Sequence, residues 1–292
     1  MRTALLIGSN GQVGSEISRI WPETPALRSI ELVRLTHADL EITKPHAVEA
    51  AIAGSGADLI INTAGFLRVD ECERDPVTAC AVNALGVKYV AECAARHGCF
   101  VVQYSTDYVF DGQKTSPYTE SDVTRPLNAY GVSKLMGELF LQYCLPEMHL
   151  LIRTSGVFGL AGSSSKGGNF VETMLRLARA GRALSVVDDQ TFSPTYAPDL
   201  AHSTLELISH QVCGTVHVTN SSATTWYEFA RAAFNAAGLE PELRPVTSSE
   251  YGAAARRPRY SVLDNARAAR LGASNLRSWQ EALAEYISSR RE

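Results

Sequence analysis

The sequence predicts an α/β protein built on a Rossmann-type, doubly wound parallel sheet, with a smaller, interleaved C-terminal lobe. Three observations carry that expectation. Residues 3–7 (TALLI) form an apolar run that passes straight into Gly8, Gly11 and Gly14, and an amphipathic pattern through Val13, Ile17 and Ile20 follows. That order is strand, glycine turn, helix. Residues 58–61 (DLII), 99–104 (CFVVQY) and 150–153 are short and largely apolar, as in strands covered on both faces, and longer helix-like stretches separate them. A chain of 292 residues, 45% hydrophobic and 20% charged, accommodates one large α/β domain with an appendage.

In chain order, the glycines after the first strand let the backbone approach a pyrophosphate, and the helix start offers N–H donors and partial positive charge. The spacing is GxxGxxG, not the GxGxxG of the dehydrogenase fingerprint. A second strand at 30–35 lacks a terminal acid for a ribose hydroxyl; Asp39 comes several residues late. Arg34 is either a partner for a 2′-phosphate or an exposed strand residue. Asn62, Thr63, Ala64 and Gly65 follow the third strand, small residues beside which a cofactor fits. Residues 76–97 read as one long helix, and Ser105, Thr106 and Asp107 sit just past the fourth strand, where doubly wound sheets bind ligands.

Residues 127–143 (LNAYGVSKLMGELFLQY) read as a helix with Tyr130 and Lys134 one turn apart on one face. A neighbouring ammonium favours the ionised phenol, so Tyr130 is expected to be acidified. A ketone reductase needs such a proton donor as hydride creates an alkoxide. A hydroxyl at 105 or 106 can donate to a substrate carbonyl or merely cap a turn. Beyond, 159–168 reads as a glycine- and serine-rich loop, 170–180 as a helix, 188–195 as a turn and 197–209 as a helix. A strand at 215–218 and helices at 225–237, 264–271 and 278–290 complete the chain. Arg256, Arg257 and Arg259 suit a diphosphate or simply face solvent.

A net charge of −4 gives no footprint for nucleic acid or an anionic membrane, and no apolar run reaches the roughly 18 residues of a membrane span. Six cysteines without a CxxC pair or metal-like spacing imply free thiols in a reducing compartment, and with no leader evident the expected location is the cytoplasm.

Gly8 to Gly14, Asn62 to Gly65, STDYVFDG (105–112), the Tyr130/Lys134 pair and Arg153 to Gly159 together resemble the extended short-chain dehydrogenase/reductase superfamily. Within it, NFVETMLRLA (169–178), DDQTFSPTYAPDLA (188–201) and RPRYSVLDN (257–265) are similar to the dTDP-4-dehydrorhamnose reductase family. The resemblance implies reduction of the 4-keto group of a nucleotide-activated 6-deoxyhexose by NADPH or NADH. It makes Tyr130 the proton donor, Lys134 its partner and ribose ligand, and Thr106 the hydroxyl that tunes the phenol. Gly8, Gly11, Gln12 and Val13 would meet the pyrophosphate, Asp39 and Leu40 the adenosine end, and Ala64, Gly65, Phe66 and Tyr104 the rest of the cofactor. Thr106, Asp107, Gly156 and Asn169 form the expected substrate set. No metal is among the expected ligands, and the oligomeric state stays open, with a homodimer as one option.

The chain departs from the family pattern at Gly156, where an aromatic is usual, at Ser193, where glycine is usual, and at Phe66 to Arg68, where the family is more polar. These bear on the sugar, not on the hydride or proton chemistry. Two alternatives stay open: another nucleotide-sugar ketoreductase or epimerase, and a regulatory subunit resembling the β subunit of methionine adenosyltransferase. The expected partition is 1–155 for the dinucleotide domain, with 184–209 returning to it, and 156–183 with 210–292 for the substrate lobe.

Overall fold

The computed structural model describes residues 2–160 and 168–290. The first half runs β1 (Thr3–Ile7), α1 (Gln12–Ile20), β2 (Glu31–Leu35), α2 (Pro45–Ser55), β3 (Leu59–Asn62), α3 (Val69–Arg74), α4 (Pro76–Cys80), α5 (Val87–His97), β4 (Phe100–Thr106), α6 (Ala129–Cys144) and β5 (His149–Thr154). The second half runs β6 (Val157–Phe158), α7 (Phe170–Arg179), β7 (Leu184–Val187), β8 (Thr191–Phe192), β9 (Thr195–Tyr196), α8 (Ala197–Ser209), β10 (Gly214–His217), β11 (Thr224–Thr225), α9 (Trp226–Ala237), β12 (Leu243–Val246), α10 (Ser248–Tyr251), α11 (Ala266–Arg270) and α12 (Trp279–Ser289). Among the described residues no helix is long and apolar enough to cross a membrane.

The central sheet has six parallel strands in the order β10-β5-β4-β3-β1-β2. Strand periodicity sorts its side chains onto two faces. Ala4, Leu6, Leu59 and Ile61 join α1 and α8 in one core, while Leu5, Ile7 and Ile60 join α2 and α5 in the other. The chain passes from β1 to β2 on one side and to β3 on the other, opening a crevice at the carboxyl ends of the strands. A third core, built on Phe158, Phe229 and Tyr286, belongs to the lobe.

The structure corrects several expectations. Residues 76–97 are helical but not one regular helix: Ala81–Gly86 is a π turn. The α6 helix passes close to this turn, where a Cβ on Gly137 would lie 2.2 Å from the Asn83 carbonyl oxygen. Ser105 and Thr106 are the last residues of β4, since register with Arg153 and Thr154 carries the strand further. The 188–195 segment holds β8 and β9 as well as turns. Residues 184–187 do not return to the large sheet; β7 pairs with β12 in the lobe. Conversely, β10 and Ala268 belong to the first core despite lying in the 210–292 stretch expected to be lobe, because pairing with β5 buries that edge. Residues 161–167 of the expected loop lie outside the described residues.

The Gly137 contact predicts that Gly137→Ala, in spite of alanine's better helix propensity, destabilises the protein by about 1–3 kcal/mol through overpacking against backbone. Urea unfolding measures it, and an unchanged or raised midpoint would contradict the contact.

Candidate active site

At the end of β1 the chain turns through Gly8, whose φ of +78° lies in the left-handed region. Gly14 is held even more tightly: a Cβ there would meet the Gly8 carbonyl oxygen at 2.4 Å. Gly11 precedes α1, and no side chain caps the first turn. The N–H groups at Gln12 and Val13 thus begin a helix whose end has no internal anion. This cradle fits a pyrophosphate. Thr63 steadies it, its hydroxyl donating to the carbonyls of Ile7 (2.8 Å) and Gly8 (2.9 Å). Beyond β3, Asn83 accepts from the Phe66 N–H (2.8 Å) and donates to the Phe66 carbonyl (2.9 Å) and Ser133 Oγ (3.0 Å). The π turn therefore fixes the loop through Ala64, Gly65 and Phe66 onto α6.

Asn128 starts α6, accepting from the Gly131 N–H at 2.8 Å. In the first turn, Tyr130 faces a cavity of about 460 Å³, which Gln12, Ser105, Thr106, Asp107 and Gly156 also line. That volume lies within the range of small-molecule and cofactor sites, about 300–1,000 Å³. Lys134 is buried one turn further along, its Nζ donating to the Tyr104 carbonyl at 2.6 Å. The Tyr108 ring meets Tyr130 edge-on at 5.9 Å.

Burial pushes the Tyr130 phenol above the usual tyrosine range, and a hydrogen bond with the Thr106 hydroxyl pulls it back only in part. The protein's own groups hold the phenol protonated, correcting the expectation of an acidified tyrosine: desolvation outweighs the polar contacts. Asp107 is pushed by burial to about 6, although it accepts from Ser261 Oγ (2.6 Å), Ser155 Oγ (2.8 Å) and Thr106 Oγ1 (3.1 Å). Ser105 Oγ, also at the cavity wall, is buried with no hydrogen-bond partner among the described residues, leaving a hydrogen bond open for a ligand.

Not every expected site residue gathers here. Asn169 caps α7, accepting from the Glu172 N–H and donating to the Gly159 carbonyl and Tyr286 hydroxyl, so its amide is engaged in the lobe. Asp39 is turned back onto the Thr36 N–H (2.9 Å) and hydroxyl (2.7 Å). Leu40 is buried in the α2/α5 core, and the Tyr104 ring in the α1/α8 core; only their backbones can face a cofactor. Arg34 reaches toward the Ser18 carbonyl on α1, at 3.5 Å, rather than toward the end of β2. Of the three C-terminal arginines, Arg257 lines the cavity, paired with Asp70 at 2.8 Å; Arg256 and Arg259 are exposed.

Sequence reasoning missed the far wall, where Phe192 stacks on Trp226 with ring centroids 3.9 Å apart and Trp226 meets Phe170 at 4.7 Å. Gly156, with φ +52°, lies against this stack: a Cβ there would meet the Phe192 ring at 2.4 Å. Only tertiary pairing of β8 with β11 brings these rings together, so no local spacing announces them.

A glycine cradle beneath a switch point, beside a Thr/Tyr/Lys constellation, defines a short-chain dehydrogenase/reductase of the extended type. The family described as RmlD substrate binding domain matches residues 1–291, and the chain belongs to it. It is 40% identical over 290 residues to the spore coat polysaccharide biosynthesis protein SpsK of Bacillus subtilis, covering 99% of this chain and 98% of that one. It is 37% identical to the dTDP-4-dehydrorhamnose reductase of Escherichia coli, with 97% and 96% covered. The crystal structure of dTDP-4-dehydrorhamnose reductase from Bacillus anthracis in complex with NADP superposes with a TM-score of 0.92 at 33% identity, covering 99% of this chain and 100% of that one.

The Asp107 environment yields a pH prediction. A carboxyl raised from 3.8 to about 6 on folding gives a contribution to stability that is full below pH 3.8 and lost as pH rises through 6. Between pH 4 and 7.5, wild type should therefore lose up to about 3 kcal/mol relative to Asp107→Asn. Paired urea titrations measure this, and a pH-independent difference would show that Asp107 is not charged at a cost.

Proposed function

We propose that this protein reduces the 4-keto group of a nucleotide-activated 6-deoxyhexose, converting dTDP-4-dehydro-L-rhamnose to dTDP-L-rhamnose with NADPH or NADH. The observation that carries the reading is the placement of the Tyr130 phenol beside Thr106 and Asp107 at the wall of one cavity, which Gln12 at the start of α1 and the aromatic stack of the lobe also line. Family membership and the NADP bound by the similar Bacillus anthracis enzyme support it.

The cradle at Gly8, Gly11, Gln12 and Val13 binds the cofactor's pyrophosphate through backbone N–H groups. When bound, the reduced nicotinamide supplies the hydride. Tyr130 is the general acid: it holds a proton at its hydroxyl until the sugar C4 oxygen gains basicity, then gives it up. Thr106 orients that hydroxyl, and Asp107 in turn orients Thr106. Lys134, fixed by the Tyr104 carbonyl, is one helical turn away to stabilise the phenolate left behind. Arg257 offers a cation to the diphosphate, and the stack of Phe192, Trp226 and Phe170 covers apolar faces and excludes water.

Loss of reduced-nicotinamide absorbance with dTDP-4-dehydro-L-rhamnose tests the reaction, and net consumption of the reduced cofactor separates it from epimerisation. Tyr130→Phe should lower kcat by about 10²–10⁴-fold, the usual worth of a general acid, and leave the NADPH Kd within about threefold, a shift below 1 kcal/mol. Equal loss of binding and turnover would remove Tyr130 from the proton step.

A further inference from the structure

The helical layer outside the α2/α5 core carries a cluster that the proposed reaction does not use. Cys93 and His97 stand four residues apart on one face of α5, and Glu49 meets them from α2. Their ligand atoms all lie within 4.8 Å of one another. His97 Nε2 is already 2.8 Å from Glu49 Oε1. We propose that Glu49, Cys93 and His97 form a Zn²⁺ site with three protein ligands and a fourth, solvent-held position.

The geometry is close to what the ion requires. Bonds of about 2.0–2.3 Å to N, O and S in a tetrahedron set ligand separations of about 3.3–3.8 Å, so the widest pair must close by roughly 1 Å. The Glu49 and His97 side chains are 39% and 38% exposed and free to adjust, while Cys93, buried at the core edge, fixes the site. Thiolate, imidazole and carboxylate together suit zinc better than magnesium or calcium, which take oxygen ligands. Two anionic ligands neutralise the dication, so the occupied site adds no net charge beside an apolar core. The α5 helix also ends at His97, where its dipole favours a cation.

One group competes. Arg96 pairs with Glu49 Oε2, but its side chain is 58% exposed and can move into solvent. The groups facing the Cys93 sulfur are Glu49 from α2, Arg96 and His97 on α5, and Cys99 just before β4. Because the metal ligand is the thiolate, binding breaks the S–H bond, forms a metal–sulfur bond and releases the proton to solvent without redox change, so affinity rises with pH. Cysteine spacing alone passes over the site because the third ligand comes from a different helix.

The test is titration of the untagged full-length protein with Co²⁺, followed by displacement with Zn²⁺. One equivalent should produce a thiolate-to-cobalt charge-transfer band and the intense visible bands of a four-coordinate ion, with release of about one proton. Cys93→Ser should abolish the charge-transfer band, and the exposed His97→Gln, which circular dichroism should show folded, should weaken Zn²⁺ binding at least about tenfold. Arg96→Ala should tighten it. The site is overturned if wild type gives no charge-transfer band, or if His97→Gln leaves the band and the affinity unchanged.

Discussion

The position of the catalytic helix rests on backbone lying against backbone. A Cβ on Gly131 or on Gly137 would come within 2.2 Å of a main-chain carbonyl oxygen, that of Tyr108 or Asn83 respectively. With no side chain at those points α6 packs closely against the π turn and the segment just after β4, and its polar residues can reach inward. Lys134 meets the Tyr104 carbonyl at the end of β4, and Glu138 makes a buried two-point pair with Arg153 on β5, at 2.6 and 3.0 Å. Removing one member of such a pair strands the other charge, at a cost of about 3–5 kcal/mol. The pair therefore serves to hold register between helix and strand more than to add stability. Tyr130 inherits its place from these contacts.

Asp107 is the second organising point. It gathers hydroxyls from the end of β4, from Ser155 just after β5 and from Ser261 in the C-terminal segment. Dinucleotide domain and lobe thus share one buried carboxyl beside the phenol. The acid–base logic follows from burial more than from partners. The phenol, the Tyr108 hydroxyl and the carboxyl are all displaced toward their neutral forms. A site that starts neutral keeps its proton until substrate chemistry demands it.

The large sheet was legible because its central strands are largely apolar and because Gly8, Gly11 and Gly14 follow the first of them. The Tyr130 and Lys134 pair was legible from spacing, since one helical turn puts both on one face, whereas Thr106 rather than Ser105 was singled out only by the family resemblance. The lobe was less so: Leu243 to Val246 contains Arg244 and Pro245, carries no strand pattern of its own and pairs only once β7 supplies its partner. Asn169 matched a family stretch but its short amide does a cap's work, which a resemblance does not distinguish from ligand contact. The phenol's displacement could not be read from YxxxK at all, because burial is a tertiary quantity. The π turn was hidden for the same reason: it packs against Gly137, more than fifty residues later in the chain.

The sixth strand of the sheet comes from the far side of the lobe. β10 lies beside β5, yet 59 residues separate Thr154 from Gly214, and α8, which packs on α1, lies among them. Until the ribosome has released that whole stretch, β5 presents a bare edge with its N–H and C=O groups unpaired. The front half of this protein is consequently not a module that evolution or an engineer can lift out on its own. Its last structural seam is sewn by the domain it appears to precede, and the two must be inherited, expressed and unfolded together.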